Sequence, residues 1–526
     1  MAAPWWRGAV FYEIYVRSFA DSDDDGIGDL PGITSRLDYL KRLGVDAVWL
    51  TPFYPSPQKD HGYDVADYCN VNPQYGTLDD FDQLIAEAHR LGLKVLVDLV
   101  PNHTSDQHEW FRAALSSPDD PHRAFYNFVD GRADGSPPNN WRSAFGGPAW
   151  TRDESSGQWY LHLFAPEQPD LNWWNPEVEA EFERILAFWL DRGADGYRID
   201  VASALFKRQD LADAPMVQDP ATRELRPDPA FLVIDQPEVH GVYRRWRTIV
   251  SRYRPDRVLV GEIFGPHRQA RYVLPDQLDT TFALIPVRWD AYRWKRWIDV
   301  DMHTLHGPGV APTWNLSNHD VVRHVTRFGG GTVGSLRARA ALLLLLGLPG
   351  QMLLFQGEEL GLEEVDLPPE ARQDPVFVHT QGRFVGRDGC RVPLPWKKGE
   401  PNAGFSAAPP WLPMPPGWDR LAAAAEEASA DSMLGFYKHA LAARRRVSPW
   451  LPPSITWLPS PPGVLAFERE RLTVACNFLA RPVRMNVRGG LVVSTAPLAT
   501  VREGWLSLPP NSAAWADAGR GAWRRG

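Results

Sequence analysis

The amino-acid sequence predicts an α/β fold: a (β/α)8 TIM barrel with an inserted lobe after strand 3 and a C-terminal antiparallel β-sandwich. Three observations lead to this prediction. The first hundred residues alternate near-continuous apolar strands with amphipathic helices, the pattern of a parallel sheet covered on both faces. The alternation is interrupted over residues 102–174, which are rich in Pro, Gly, Asn and Trp. After residue 450 it gives way to short segments that alternate apolar and polar residues.

The domain boundaries follow from these changes of pattern. We expect the barrel to take residues 1–101 and 175–450, with a small insertion at about 361–430. The lobe then takes residues 102–174 and the sandwich residues 451–526. Pattern changes of this kind are typical of a chain of 526 residues, which is too long for a single hydrophobic core.

The individual elements can be assigned from periodicity and capping residues. "AVFYEIY" (9–15), "VDAVWL" (45–50) and "KVLVDLV" (94–100) are predicted as buried strands. "ITSRLDYLKRLG" (33–44) and "TLDDFDQLIAEAHRLG" (77–92) are predicted as the helices between them, the second with Thr77 as its N-cap. A further helix at "PEVEAEFERILAFWLDRG" and strands at "DGYRI", "RVLVGE", "TWNLS" and "QMLLFQ" follow the lobe. A doubly wound open sheet is the alternative, but no glycine-rich phosphate loop follows the first strand.

Composition excludes several classes of function. The net charge of −9 argues against a nucleic-acid partner, which usually requires a basic face. The three cysteines (Cys69, Cys390 and Cys476) match no metal-ligand spacing and are typical of reduced thiols. The N-terminus has no signal-peptide pattern, and the longest apolar run, at 341–349, is too short to span a bilayer. We therefore expect a cytoplasmic protein without membrane contact, a monomer or weak homo-oligomer.

Ionisable residues occur where four of the predicted strands end. "DLVPNH" carries Asp98 and His103, and "GYRIDVA" carries Arg198 and Asp200. "VLVGEIF" carries Glu262, and "NLSNHD" carries His319 and Asp320. The strand ends of a barrel converge on one mouth, so these side chains are expected to share one site.

The chemistry of this set is that of carboxylates. No metal spacing links the histidines, and no Ser or Cys nucleophile motif accompanies them. Two carboxylates, one protonated and one ionised, are the apparatus of glycoside hydrolysis. Arg198 lies two residues before Asp200 on the same strand, so its charge favours the ionised form of Asp200. A buried ion-pair network that only stabilises the barrel is the alternative.

These segments resemble a known family. "DLVPNH", "GYRIDVA", "GEIF" and "SNHD", in this order, resemble the four signature regions of the α-amylase superfamily, glycoside hydrolase family 13. "QPDLN" (168–172) resembles a fifth region in the form typical of the oligo-1,6-glucosidase and α-glucosidase branch. The resemblance implies a retaining, double-displacement α-glucosidase that removes glucose from the non-reducing end of short α-glucosides. By similarity, Asp200 is the nucleophile, Glu262 the acid/base and Asp320 the third carboxylate.

The resemblance also implies a set of substrate-binding residues. Asp60 and Tyr63, in "QKDHGYD", would hold the non-reducing end of the sugar. "CRVPLPW" departs from the branch's usual "RTPMQW", yet Arg391 matches its arginine. Val201, the residue after the nucleophile, would influence the linkage that is cleaved. The full set of binding candidates is Asp60, Tyr63, His103, Arg198, His319, Arg391, Val201 and Phe145.

The acidic stretch "DSDDDGIGD" (21–29) begins like an EF-hand loop, but its twelfth position is Gly32 rather than Glu. A metal site or a solvated acidic turn are both compatible with this pattern. The resemblance favours the metal site, because the branch holds one Ca²⁺ or Mg²⁺ in its first βα loop. The ligands implied are Asp21, Asp23, Asp25, the Ile27 carbonyl and Asp29. We expect this structural ion to be the only cofactor.

Two other functions remain open at this point. A trehalose synthase or sucrose-acting transglucosylase or isomerase would use the same glucosyl intermediate. A non-catalytic sugar-binding or transporter-associated subunit could share the fold, but such relatives typically lose a catalytic carboxylate, and all three are present here.

Overall fold

The central element of the structure is a closed parallel barrel. The structure, a computed structural model, describes residues 4–218, 225–263, 266–283, 285–286, 288–306, 309–447 and 451–518. The barrel strands are β1 (Val10–Ile14), β2 (Ala47–Leu50), β3 (Lys94–Leu99), β4 (Gly196–Ile199), β5 (Val258–Gly261), β6 (Thr280–Thr281), β7 (Thr313–Asn315) and β8 (Gln351–Phe355). Their spatial order is β6-β5-β4-β3-β2-β1-β8-β7, and a parallel bridge from Phe282 to Thr313 joins the two ends. The predicted barrel is confirmed.

A helix follows each strand, and the first seven of these helices return the chain to the next strand. These helices are α1 (Leu30–Leu43), α2 (Leu78–Arg90), α3 (Pro176–Asp191), α4 (Val239–Val250), α5 (Pro266–Tyr272), α6 (Ala291–His306), α7 (Gly331–Gly347) and α8 (Met433–Val447). Thr77 caps α2 in a reciprocal box with Asp80, as its sequence position predicts. Asp29 caps α1 by accepting a hydrogen bond of 2.6 Å from the Gly32 N–H, and Gly44 ends that helix at φ 104°.

Helix α7 is buried almost all round its last three turns. The barrel covers one side, and the C-terminal domain covers the other: the Trp515 indole donates a 3.0 Å hydrogen bond to the Leu343 carbonyl. A Cβ on Gly347 would lie 2.6 Å from a methyl of Val474, so the two domains need a glycine at this contact. The apolar run at 341–349 is therefore an interdomain core helix. None of the helices in the described part of the chain is long and apolar enough to cross a bilayer.

Three excursions interrupt the barrel on its strand-end side. The lobe after β3 contains a helix and a three-stranded antiparallel sheet: Glu109–Ser116, Phe128–Val129, Trp150–Arg152 and Trp159–Leu161. The second, after β4, is a hairpin of Met216–Gln218 and Leu225–Pro227 followed by a short helix, Ala230–Val233. The third, between β8 and α8, contains short helices at Pro375–His379 and Ala423–Glu427. Outside these excursions a short helix, His324–Arg327, precedes α7.

Single 3-10 turns complete the helical elements. They are Val16–Ser18, Pro121–Phe125, Glu358–Leu360, Pro369–Ala371, Asp388–Cys390, Pro401–Gly404 and Trp418–Leu421.

The C-terminal domain is an antiparallel sandwich, as its alternating pattern predicts. One sheet contains Thr456–Trp457, Val464–Arg469, Leu472–Asn477, Ser512–Asp517 and Gly490–Ser494, in that spatial order. The other contains Val483–Asn486, Trp505–Leu508 and Thr500–Arg502. Side chains of both sheets, among them Ala466 and Leu506, share one apolar cluster between the sheets.

Candidate active site

Four strand ends bring the predicted ionisable residues to one mouth of the barrel. Asp98 lies on β3 directly beside Arg198 on β4, because the parallel register pairs these two residues. Asp200 follows β4, and its N–H donates to the Leu99 carbonyl over 2.8 Å. Glu262 follows β5, and its N–H donates to the Ile199 carbonyl over 3.0 Å. Backbone hydrogen bonds thus set the positions of both carboxylates that the sequence singles out as the reacting pair.

Arg198 is the centre of a buried carboxylate cluster. One guanidinium nitrogen lies 2.5 Å from Asp200 Oδ1 and 3.1 Å from Asp98 Oδ1, and the other lies 3.0 Å from Glu262 Oε2. Burial raises the pKa of Asp98 to about 7, although Arg198 opposes the rise. Burial also raises the pKa of Asp200 against the same guanidinium. Three carboxylates therefore share one cation, so the cluster retains a proton near neutral pH.

Val201 connects this cluster to an adjacent cavity through a strained backbone. Its φ is +42°, a left-handed conformation that a β-branched residue rarely adopts. The conformation directs the Val201 N–H to Glu262 Oε2, at 3.0 Å. The side chain is 6% exposed and lines the cavity, which is described below. Val201 therefore lies between the acid/base candidate and the space beyond it.

Asp320 lies across the mouth between two arginines. Arg387 Nη1 is 2.9 Å and Arg391 Nη2 is 3.0 Å from Asp320 Oδ1. Burial alone would raise the pKa of Asp320, but the charges of Arg387 and Arg391 hold it well below its usual range. This carboxylate is therefore ionised at every physiological pH.

Arg387 is a member of the site that the sequence analysis missed. Besides Asp320 it binds Asp60 at 2.8 Å and Asp374 at 2.6 Å, and its guanidinium lies 5.0 Å above the Phe145 ring. Arg391, the arginine that the resemblance singles out, binds Asp320 and the His319 carbonyl and is 1% exposed. A second arginine four residues before Arg391, in "GRDGCR", was the only sequence signal for Arg387.

Asp60 and His103 meet at a glutamine of the lobe. Gln168, from "QPDLN", places its amide nitrogen 3.1 Å from Asp60 Oδ2 and 3.1 Å from His103 Nε2. Burial lowers the pKa of His103 to about 4, so the ring is neutral at neutral pH. Burial raises the pKa of Asp60, although Arg387 and Arg391 oppose the rise. The lobe thus fixes the far wall of the pocket.

Two aromatic rings, Tyr63 and Tyr15, and a buried acid hold His319. Its ring stacks on Tyr63 with centroids 5.2 Å apart and an interplanar angle of 13°, and Tyr63 donates a 3.0 Å hydrogen bond to Asp98. His319 Nδ1 lies 2.5 Å from Glu13 Oε1, which also accepts from the His319 N–H. Burial lowers the pKa of His319 and raises that of Glu13. Glu13 was also missed, and its signal was an acid inside the apolar strand "AVFYEIY".

A cavity of about 500 Å³ opens beside the carboxylates. Phe145 and Val201, the two binding candidates not yet placed in the pocket, both lie in its wall. The opposite wall comes from the excursion after β4 and from residues 376–384 of the third excursion. Phe145 also lies beneath Arg387, so the cavity is continuous with the charged pocket.

The acidic loop brings only part of its predicted ligand set together. Carboxylate oxygens of Asp21, Asp23 and Asp29 lie within 4.8 Å of one another. Asp25 is not in this group; its carboxylate accepts a 2.7 Å hydrogen bond from the Ile27 N–H. Burial raises the pKa of Asp29, and the charge of Asp21 adds to the rise. The three clustered acids fit a hard divalent cation, which prefers oxygen ligands.

Comparisons with known proteins agree with this geometry. The sequence matches the family "Alpha amylase, catalytic domain" over residues 13–451. A probable α-glucosidase from Rhizobium meliloti (strain 1021) is 42% identical over 84% of this chain and 82% of the relative. An oligo-1,6-glucosidase from Parageobacillus thermoglucosidasius is 37% identical over 85% of this chain and 84% of the relative. The crystal structure of an α-glucosyl transfer enzyme, XgtA, is 38% identical with a TM-score of 0.91, covering 98% of this chain and 99% of that one.

Proposed function

The chain belongs to the α-amylase family and is a glycoside hydrolase of the α-glucosidase type, and from this premise we propose that it removes single glucose units from short α-glucosides with retention of configuration. The observation that carries the proposal is the contact of Asp200 and Glu262 with one guanidinium. Retaining glycosidases need their two carboxyl groups only about 5–5.5 Å apart, and a shared arginine supports such proximity.

Action from the non-reducing end is supported by the wall behind the pocket. Asp60, Arg387 and Asp374 form a continuous chain of ion pairs there, and Gln168 joins Asp60 to His103. A wall of this kind would close the pocket behind one terminal sugar ring, so that a longer chain could not extend beyond it. The carboxylates and guanidinium of the wall would bind the outer hydroxyls of that ring.

The proposed reaction has two steps. Asp200 attacks the anomeric carbon while Glu262 gives its proton to the departing oxygen, and the bond between the sugar and the leaving alcohol breaks. Glu262, now ionised, removes a proton from water, whose oxygen displaces Asp200 and restores the α-configuration. Arg198 stabilises the negative charge of Asp200 before and after the ester exists. The Val201 N–H orients Glu262 between the two steps.

Asp320 and the neutral histidines act on the ring itself. Asp320 remains ionised beside the reacting carbon and favours the positive charge that develops at the transition state. His103 and His319 are both neutral because burial lowers the pKa of each ring. Neutral imidazoles bind sugar hydroxyls without adding a positive charge that would oppose the oxocarbenium-like state.

The experiment that tests the proposal is Asp200→Asn with a matched control. We expect the variant to lose about 10⁴-fold or more in kcat for maltose. Asp210→Asn, an exposed acid on the following loop, should keep full activity. In the parent protein, ¹H NMR of the glucose released first should show the α-anomer. Release of β-glucose, or activity retained by Asp200→Asn, would contradict the mechanism.

Transglucosylation is the second candidate function, because the similar structure cited above is that of an α-glucosyl transfer enzyme. Hydrolysis and transglucosylation both proceed through the same glucosyl ester of Asp200. They differ in whether water or an alcohol displaces Asp200. Incubation with maltose, isomaltose, sucrose and trehalose, with every product quantified, distinguishes them. Free glucose as the main product supports hydrolysis, and new disaccharides with little glucose support transfer.

We also propose that Asp21, Asp23 and Asp29 hold one Ca²⁺ or Mg²⁺, with the Ile27 carbonyl and Asp25 as the remaining ligands that the family resemblance implies. The ion would neutralise the clustered acids and tie the loop to the start of α1, since Asp29 caps that helix. Its role would be structural.

A cytoplasmic location is the further part of the proposal. It is supported by three cysteines that form no disulfide, one of them, Cys69, only partly buried. Fractionation of the producing cells, with activity measured in each fraction, tests the location.

A further inference from the structure

The cavity beside the carboxylates has an apolar wall. Val201, Ala204, Leu163 and Val233 are all buried, and they belong to a core cluster that joins the lobe to the excursion after β4. Phe145 adds an aromatic face at 7% exposure. The cavity that receives whatever is attached to the glucosyl unit is therefore lined by the surface of a hydrophobic core.

The few polar groups of the wall are already engaged within the protein. Ser143 donates a 2.7 Å hydrogen bond to the Phe164 carbonyl and accepts one from the Phe145 N–H. Thr380 donates to the Val376 carbonyl over 2.5 Å and accepts from the Phe384 N–H. Each of these hydroxyls has used its only donor within the protein and keeps a single acceptor lone pair. A sugar in this space would therefore leave several of its own hydroxyls without protein partners.

The charged residues of the cavity lie at its solvent mouth. Arg142, Arg226 and Arg383 are exposed, and Arg226 and Arg383 make other interactions. Asp228 accepts a 3.1 Å hydrogen bond from the Ala230 N–H. Because these arginines are exposed to solvent, the buried part of the cavity wall remains apolar.

The two excursions that face each other across the cavity carry exposed apolar side chains. In the excursion after β4, Leu225 is 69% and Phe231 is 70% exposed. In the third excursion, Phe384 lies in the cavity wall and is 50% exposed, and Val378 and Val385 beside it in sequence are 57% and 62% exposed. The exposed ring of Phe384 extends the apolar wall towards solvent.

We propose that this cavity binds an apolar aglycone, so that the enzyme prefers α-glucosides of alkyl or cycloalkyl alcohols to glucosyl-sugars and transfers glucose to such alcohols. The inference rests on the proposed function, because it assigns the leaving-group and acceptor side of the same site. The volume of about 500 Å³ lies within the range of about 300–1,000 Å³ typical of small-molecule pockets.

The transfer step balances with the groups already present. The alcohol oxygen forms a bond to the anomeric carbon, the bond from that carbon to Asp200 breaks, and Glu262 takes the hydroxyl proton. The enzyme returns to its starting state, and no other reactant is needed. An alcohol held by the apolar wall competes with water for the ester because the wall binds it next to Glu262.

The test uses leaving alcohols of nearly equal acidity. Methyl, n-butyl and n-hexyl α-glucosides differ only in apolar length, and 6-hydroxyhexyl α-glucoside is a polar control of the same length. Full burial of a methylene is worth about fourfold in binding. In this partly open cavity we expect kcat/KM to rise at least about tenfold from methyl to n-hexyl, with the hydroxyhexyl compound several-fold lower.

Variants locate the effect in the cavity. Phe384→Gln and Val376→Thr should each reduce the n-hexyl to methyl ratio of kcat/KM by at least about threefold. Leu498→Gln changes an exposed leucine of the C-terminal domain and should leave that ratio and all activities unchanged. A ratio that neither cavity variant lowers would place the aglycone elsewhere and overturn the proposal.

The outcomes separate this inference from the proposed function. If kcat/KM is the same for the methyl, n-butyl and n-hexyl α-glucosides, and maltose is also hydrolysed, only the proposal of an apolar aglycone site is overturned. Failure to release glucose from any α-glucoside overturns the proposed function as well. A competition of cyclohexanol against myo-inositol for the glucosyl group from maltose gives the same information for transfer. We expect cyclohexyl α-glucoside to be the major transfer product, and equal use of the two rings would contradict the proposal.

Discussion

Replacement of Arg387 by methionine should damage both activity and stability, because this one side chain joins three carboxylates. Its guanidinium contacts Asp60, Asp320 and Asp374 at 2.6–2.9 Å and is 18% exposed. Removing one partner of a buried ion pair costs about 3–5 kcal/mol of folding free energy. A lost charge-assisted hydrogen bond to substrate is worth about 1.5–3 kcal/mol, which corresponds to about 10- to 150-fold in kcat/KM.

The assay for Arg387→Met is kcat/KM for maltose together with chemical denaturation. Arg387→Lys keeps the charge but cannot contact three carboxylates at once, so it should also lose about tenfold or more in kcat/KM. Arg123→Met is the matched control, because Arg123 forms an equally buried pair with Asp153 in the lobe. That variant should lose stability and keep kcat/KM within about twofold. An Arg387→Met enzyme within threefold of the parent would refute the role of Arg387 in the pocket.

The stability loss of Arg387→Met should depend on pH in a definite direction. The pKa of Asp320 lies below its unfolded value, so its ionised form stabilises the fold above that value, and this contribution is lost as the pH falls. Arg387 supplies part of this stabilisation, because its charge helps to lower the pKa of Asp320. The difference in unfolding free energy between parent and variant should therefore narrow as the pH is lowered from 7 towards 3. A constant difference would mean that the arginine acts through packing alone.

Three further predictions address other parts of the molecule. Val201→Gly should be more stable than Val201→Ala by roughly 1 kcal/mol in chemical denaturation, because glycine adopts the positive φ without strain; the reverse order would show that the backbone is unstrained. Because burial raises the folded pKa of Asp98 to about 7, its contribution to stability is present below the unfolded pKa and lost as the pH rises to about 7. The free energy of unfolding of Asp98→Asn, taken relative to that of the parent, should accordingly be higher at pH 8 than at pH 5. An equal difference between variant and parent at both pH values would contradict the raised pKa of Asp98. In the parent, chelation should lower the Tm, and Ca²⁺ or Mg²⁺ should restore it. Asp23→Asn should abolish this response, and Asp25→Asn should weaken it least. A Tm that is insensitive to both chelator and cation would argue against a bound ion.

In the proposed mechanism, the buried carboxylate cluster would supply both an acid and a nucleophile. Asp98, Asp200 and Glu262 surround Arg198, and the cluster carries more negative charge than one guanidinium neutralises. A retained proton relieves the repulsion. Asp98 also accepts hydrogen bonds from Trp49 and Tyr63, so it has neutral donors as well as the shared arginine.

The sequence alone determined the barrel and the origin of its chemistry. Parallel strands buried on both faces must be almost entirely apolar, and seven of the eight barrel strands could be recognised from that pattern. The exception is β6, where Thr280 and Thr281 are completely buried polar residues in a strand of two, so no apolar run exists to find. The strand ends converge in any such barrel, and for this reason Asp200, Glu262 and Asp320 could be expected in one site.

Tertiary structure alone decided which irregular segments close that site. Arg387 lies 327 residues from Asp60 in a segment without helical or strand periodicity, and only the folded chain brings the two within 2.8 Å. The same holds for the cavity, whose walls come from three excursions with no common sequence pattern. Periodicity records which face of an element is buried, because burial selects apolar residues at fixed spacing. Periodicity carries no information on where a loop contacts a distant loop. In this protein such contacts form the charged wall of the candidate active site and the cavity beside it.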